Sequence, residues 1–179
     1  MANWISLDWD WVTADCRKVN RPRKCTSVNC KCDNANVIGR GLPEMGRTDW
    51  RIRLDALTDF LDCTKISECF VHDSHGDIFR YLNRGDCVLN YDEHTDDYND
   101  EGPLESVACW NWVNHAKNND IIVYQCQSVS DLLKIDRSVE YKLFVAWSTP
   151  YTRPDLDGHL FRFLMNLNVP VVLNLNFVE

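Results

Sequence analysis

Apolar residues first recur at every second position. In "WISLDWDWV", residues 4–12, Ile5, Leu7, Trp9 and Trp11 share one face of a strand while Ser6, Asp8 and Asp10 share the other. A strand here points two acids the same way. The period then lengthens: a capping residue at Thr48 or Asp49, followed by Ile52, Leu54, Leu57, Phe60 and Leu61, predicts a helix. After it the two patterns take turns. Strand "CFVHD", helix "DIFRYLN", strand "CVLNYD" and helix "PLESVACWNWVNHA" are followed by strand "DIIVYQC", short helix "VSDLLKI", strand "YKLFVAW", helix "LDGHLFRFLMNL" and strand "VPVVLNLNF". Such alternation predicts right-handed crossovers, a mainly parallel sheet and helices on both its faces, a three-layer α/β/α domain. Residues 15–48 follow neither period and carry cysteines, prolines and glycines, so they read as a long loop or small insertion whose length suggests a function.

Composition narrows this picture. A chain of 179 residues, 45% hydrophobic and 26% charged, suits one globular domain with a real core, spanning 1–179 with a cysteine-rich, basic insertion at about 15–48. A net charge of −8 disfavours nucleic acid and favours cationic partners, among them metal ions and guanidinium groups. No charged leader precedes an apolar run, and no apolar stretch approaches the roughly 20 residues of a membrane span, so a soluble, cytoplasmic protein is expected. Nine cysteines cannot all pair, which favours reduced thiols.

In open parallel sheets ligands bind at the carboxyl ends of the strands. There the sequence gathers Asp8 and Asp10, His72 and His75, and the run Asp92, His94, Asp96. If the chain stays extended past Tyr91, these last three alternate and face one side. So many carboxylates either take up protons or surround a cation. An oxygen-rich set with imidazole suits manganese or a related hard divalent ion better than a lone structural zinc, and carboxylates can bridge two ions. The competing readings are local: a polar loop for Asp92 to Asp96, the solvent face of an edge strand for Asp8 and Asp10, a helix-start residue for His75. A first strand so rich in Trp argues for burial instead. His72 suits a structural or supporting place, and Asn111 and Trp112 suit core and support.

These motifs resemble a known family. "SLDWDW" is similar to the SxDxD metal motif of the arginase family of ureohydrolases, "DEHTD" to its DxHxD motif, and "DSH" to the segment supplying its remaining histidine ligand. The resemblance implies an arginase/deacetylase-like fold and a pair of Mn2+ ions bridged by Asp92 and Asp8. His75 and Asp96 would complete one ion, and His94 and Asp10 the other. The order of the two motifs is reversed and the chain is shorter than in the arginases, which places it with a smaller arginase-like family, similar also at Ser148 to Tyr151 ("STPY") and at Asn111 and Trp112. That family includes peptide arginases, which convert arginine to ornithine in ribosomally made peptides. The expected substrate is thus an arginine-containing peptide, with or without a leader peptide, whose arginine side chain is hydrolysed to ornithine with release of urea after metal-activated water attacks the planar guanidinium carbon. Asp96 could orient that water. His115 and His159 are candidates to protonate the departing amine, and Glu44, Glu105 and Asp157 to grip the guanidinium.

The segment "CRKVNRPRKCTSVNCKC" holds Arg17, Lys18, Arg21, Arg23, Lys24 and Lys31 without an acid. Cys16, Cys25, Cys30 and Cys32 could form a structural zinc site, remain thiols, or close a disulfide. A basic flap could dock an acidic leader peptide, or simply be solvated. Two other functions compete: a related amidine or amide hydrolase with a single zinc, and a noncatalytic binding protein that works through this loop.

Overall fold

The protein is described by a computed structural model covering residues 1–13, 50–92, 94–98, 107–147 and 157–175. The insertion with Cys16, Cys25, Cys30 and Cys32, the acids Glu44 and Glu105, and the segment Ser148 to Tyr151 lie outside the described residues.

The chain runs β1 (Asn3–Asp8), α1 (Trp9–Thr13), α2 (Trp50–Asp62), β2 (Lys65–His72), a 3-10 helix (His75–Arg80), β3 (Cys87–Tyr91) and α3 (Trp112–Asn118). It continues through β4 (Ile122–Cys126), a second 3-10 helix (Val129–Lys134), β5 (Glu140–Ala146), α4 (Asp157–Asn166) and β6 (Val171–Asn174). The strands form one six-stranded sheet in the order β4-β3-β1-β5-β2-β6, and every neighbouring pair is parallel. One face carries Ile5, Leu7, Leu143 and Val145 packed on Leu57, Phe60 and Leu61 of α2 and Leu160, Phe163 and Leu164 of α4. The other carries Trp4, Val88 and Phe144 against Ile78 of the first 3-10 helix and Trp112, Val113 and Ala116 of α3. This is the three-layer α/β/α arrangement. No helix among the described residues is long and apolar enough to cross a membrane.

Three elements differ from the sequence reading. The first strand stops at Asp8, and Asp10 belongs to α1. Trp9, Trp11 and Val12 are drawn into the α2-side core, and the Arg53 guanidinium of α2 both lies over the Trp11 ring at 5.8 Å and donates to the Trp11 carbonyl. Of the long helix expected from Pro103, the described residues before Trp112, 107–111, are not helical: the Asn111 side chain folds back to accept the Ala108 N–H at 2.8 Å, a local bond that competes with helix. Ile52, placed by its spacing on the inner stripe of α2, is 55% exposed.

The topology explains why chemistry collects at one place. β1 and β3 are neighbours, yet the chain leaving β1 crosses one face towards β2 through α2, whereas the chain leaving β3 crosses the opposite face towards β4 through α3. Strand ends that diverge in this way open a crevice, the usual ligand site of open α/β sheets. Leu7 pairs with Tyr91, so the next residues on each strand, Asp8 and Asp92, emerge side by side in it.

Candidate metal centre

Four side chains from three strand ends meet at this crevice. Ser6 and Asp8 alternate with Leu7 and so share a face of β1. After β2 the chain bends at Asp73 and Ser74 and enters the 3-10 helix with His75, buried to 1% exposure. Gly76 is what lets it sink so far. A Cβ there would stand 2.7 Å from the Ala108 carbonyl carbon and 2.8 Å from its oxygen, too close for any side chain. Gly76→Ala is therefore expected to push the His75 turn away from 108–109, costing about 1–3 kcal/mol of stability. Urea unfolding with chelator present measures that loss, and an unchanged midpoint would refute the close packing.

The geometry centres on one nitrogen. His75 Nδ1 lies 3.4 Å from Asp8 Oδ2, 3.0 Å from Asp92 Oδ2 and 3.1 Å from Asp96 Oδ2. Its other nitrogen, Nε2, is 2.7 Å from Ser6 Oγ, and an Nε2–H donated to that hydroxyl directs Nδ1 at the acids. The ring is held between Trp112, at 5.2 Å, and Phe144, nearly parallel at 6.4 Å. Asp92 divides its oxygens: Oδ2 faces His75, while Oδ1 accepts the His94 N–H at 2.7 Å and lies 3.2 Å from His94 Nδ1. Asp96 adopts a left-handed backbone, φ 48°, which turns its side chain back to His75. Its carbonyl accepts the Val113 N–H at 3.1 Å and its Oδ2 accepts the Trp112 indole N–H at 2.7 Å.

The charges respond to this crowding. Burial alone would lower the pKa of His75, but its bonds to Asp8, Asp92 and Asp96 raise it well above the usual value. Burial also opposes the charge on Asp92, yet the bonds from His75 and His94 prevail and hold it below the ordinary carboxylate range. Asp96 is pushed up to about 7, first by burial and next by the charge of Asp92. Three buried carboxylates thus share one imidazolium and retain a proton, which is how a cation-binding group looks when protons take the cation's place. Ligand atoms of Asp8, His75 and Asp92 lie within 4.8 Å of one another, so this buried Asp/His/Asp group can hold a metal ion. A nitrogen with several carboxylate oxygens is a fitting donor set for a divalent cation.

Of the expected site residues, Asp8, His75, Asp92 and Asp96 come together. The run from Asp92 to Asp96 does not stay extended: Asp92 and Asp96 are buried, whereas the His94 side chain is 54% exposed and lies on the opposite oxygen of Asp92. Asp10 follows one residue into α1, and its side chain lies outside the described residues. His115, in α3, packs its ring on Phe79 at 5.8 Å with Nε2 buried. His159, in α4, faces Arg162 Nη2 with both ring nitrogens, at 3.2 and 3.4 Å. Asp157 Oδ1 accepts the Trp147 indole N–H at 3.1 Å, just past the end of β5. His72 has other partners than Asp8, Asp92 and Asp96, lying 2.7 Å from the Tyr81 hydroxyl and 3.4 Å from Asp77.

Two contributors were not expected at the site itself: Ser6 stood only as the first residue of the SxDxD-like motif, and Trp112 only as core and support. Ser6 could have been found, since it shares the strand face of Asp8 two residues on. Trp112 carried no such signal, because its partner Asp96 is 16 residues away across an aperiodic stretch. Compared with protein families, with curated proteins and with solved structures, the chain finds no match.

Proposed function

We propose that the chain is a metal-dependent hydrolase of the arginase type, which releases urea from a peptide-bound arginine and leaves ornithine. The observation that carries this reading is the convergence of Asp8, Asp92 and Asp96 on His75 Nδ1 at the strand-end crevice. A second feature supports a pair of ions. Asp92 presents each of its oxygens to a different imidazole, His75 and His94, an arrangement that would let one carboxylate serve two sites. In this reading Asp8, His75, Asp92 and Asp96 hold one Mn2+, and His94 and Asp10 join Asp8 and Asp92 around the other.

The ions, when bound, supply Lewis acidity and activate water near neutral pH. The chain supplies the rest. Ser6 fixes the His75 ring so that Nδ1 faces inward, and the burial of Asp92 and His75 keeps bulk water from competing for their charges. The net charge of −8 over the whole chain favours a cationic guanidinium over a neutral amide. The departing amine takes its proton from a histidine outside the ligand set, His115 or His159. Replacing each by Asn and recording pH–rate profiles distinguishes them.

A second reading is favoured by the ligand atoms themselves. Among the described residues, those within 4.8 Å of one another belong to Asp8, His75 and Asp92, one ion's worth of protein ligands, which suits a mononuclear zinc hydrolase of another amidine or an amide. Elemental analysis after incubation with Mn2+ or Zn2+ and desalting separates the two. Two Mn2+ per chain, with arginine peptides converted to ornithine by mass spectrometry, is the expected result. One tightly held Zn2+ and no such conversion would favour the second reading, and no bound metal would sink both.

A further inference from the structure

We propose that Trp112 is a positioning residue of the metal centre, whose indole N–H holds Asp96 in place as a ligand. The inference rests on reading the acid cluster as a metal site. Asp8 and Asp92 are placed by the sheet, at or just beyond the ends of β1 and β3, but Asp96 lies beyond the last strand residue in an irregular segment. Its position therefore depends on α3. The first turn of that helix holds it at two points, through the Val113 N–H on its carbonyl at 3.1 Å and the Trp112 Nε1–H on Oδ2 at 2.7 Å. That oxygen is the one 3.1 Å from His75 Nδ1.

Charge makes the second bond necessary. Asp96 stands beside Asp92 and Asp8 around the same nitrogen, and like charges drive the most weakly tethered carboxylate outwards. Asp96 is also the one on an irregular, left-handed stretch, and so the one with an easy way out. A buried N–H donated to a carboxylate is a strong, directional bond. Trp112 is fully buried, with its ring 5.2 Å from that of His75, so it cannot swing away to satisfy its N–H elsewhere. Packing alone would need only a large apolar ring at 112. The aimed N–H is what a core role leaves unexplained.

The test compares wild type, Trp112→Phe, Asp96→Ala and the double variant by Co2+ titration, reading both affinity and the visible spectrum of the bound ion. Trp112→Phe is expected to weaken Co2+ binding about 10–100-fold and alter the spectrum, the usual scale for losing an outer partner of a ligand. In the Asp96→Ala background the same change should have about a twofold effect at most, because Trp112 acts through Asp96. A second probe covers misfolding by the smaller ring: benzothienylalanine at 112 keeps the indole shape and replaces N–H by sulfur, and should reproduce the loss. Wild-type affinity and spectrum with benzothienylalanine, or an equal loss in both backgrounds, would overturn the role of Trp112 while leaving the metal site intact. Failure of wild type itself to bind Co2+, Mn2+ or Zn2+ would overturn the site reading instead.

Discussion

Asp92→Asn is expected to leave the metal-free fold standing and to remove metal binding and turnover together. Asn fills the same volume in the fully buried pocket and its side-chain oxygen can still accept the His94 N–H that Asp92 Oδ1 accepts at 2.7 Å. What disappears is a negative charge that faces two imidazoles, and an amide is a poor ligand for a hard divalent ion. The metal-free protein loses the stability that ionised Asp92 contributes through His75 and His94, and relief of repulsion against Asp8 and Asp96 offsets only part of it. The contrast should be plain in thermal melts. At a metal concentration of about 100 Kd a ligand that binds only the folded state adds about 2.7 kcal/mol, which at about 2–4 °C per kcal/mol for a chain of this size is an upward shift of several degrees. Wild type should show the shift and the variant none, with the variant folded in chelator at a somewhat lower melting point. A variant that still gains stability from Mn2+ and still turns over would take Asp92 out of the site.

The sheet was readable because its central strands are largely buried and are marked off by helical segments. "YKLFVAW" and "CVLNYD" could hardly be anything else, and the alternation itself dictates parallel pairing. Strand order was not readable, since nothing local in β1 says that its neighbours are β3 and β5. The alternation of Trp9 and Trp11 was misleading for a physical reason. Two indoles can reach the same core from a short helix as well as from a strand, and the carboxyl end of β1 is where the backbone must turn. The site followed the same division. Asp8 and Asp92 follow from their places at strand ends, and His75 from its place just after β2. Asp96 lies in the cluster for a different reason from the one its spacing gave: a left-handed turn brings it to His75, where an extended chain would also have brought His94 to the same side. Side chains that act across the chain, such as Trp112 on Asp96, leave no local period to find.

Proton release is the other large expectation, and its sign follows from the two raised groups. Around pH 7 the metal-free cluster holds a proton on His75, raised well above 6.5, and about half a proton on Asp96, whose pKa is about 7. A divalent ion needs the His75 Nδ1 lone pair and an ionised Asp96, so binding must expel both. Affinity should therefore rise with pH, by nearly two log units per pH unit around pH 6, falling towards one around pH 8 as Asp96 ionises by itself. Stability runs the other way without metal. Between the ordinary carboxylate range and about 7 the folded state binds the Asp96 proton that the unfolded chain has lost, so stability falls as pH rises. From 6.5 upward the His75 contribution, fully present at lower pH, begins to go as well. Asp92, held low, contributes its stability above the ordinary carboxylate range and loses it only in stronger acid, so it does not alter the slope near neutrality. The metal-induced rise in melting temperature should thus widen from about pH 6 to about pH 8, because the ion replaces protons that the cluster is losing. Calorimetry in buffers of different ionisation enthalpy counts the protons directly. Binding that releases none, with a melting shift flat across that range, would mean that the ion does not sit where His75 meets the three acids.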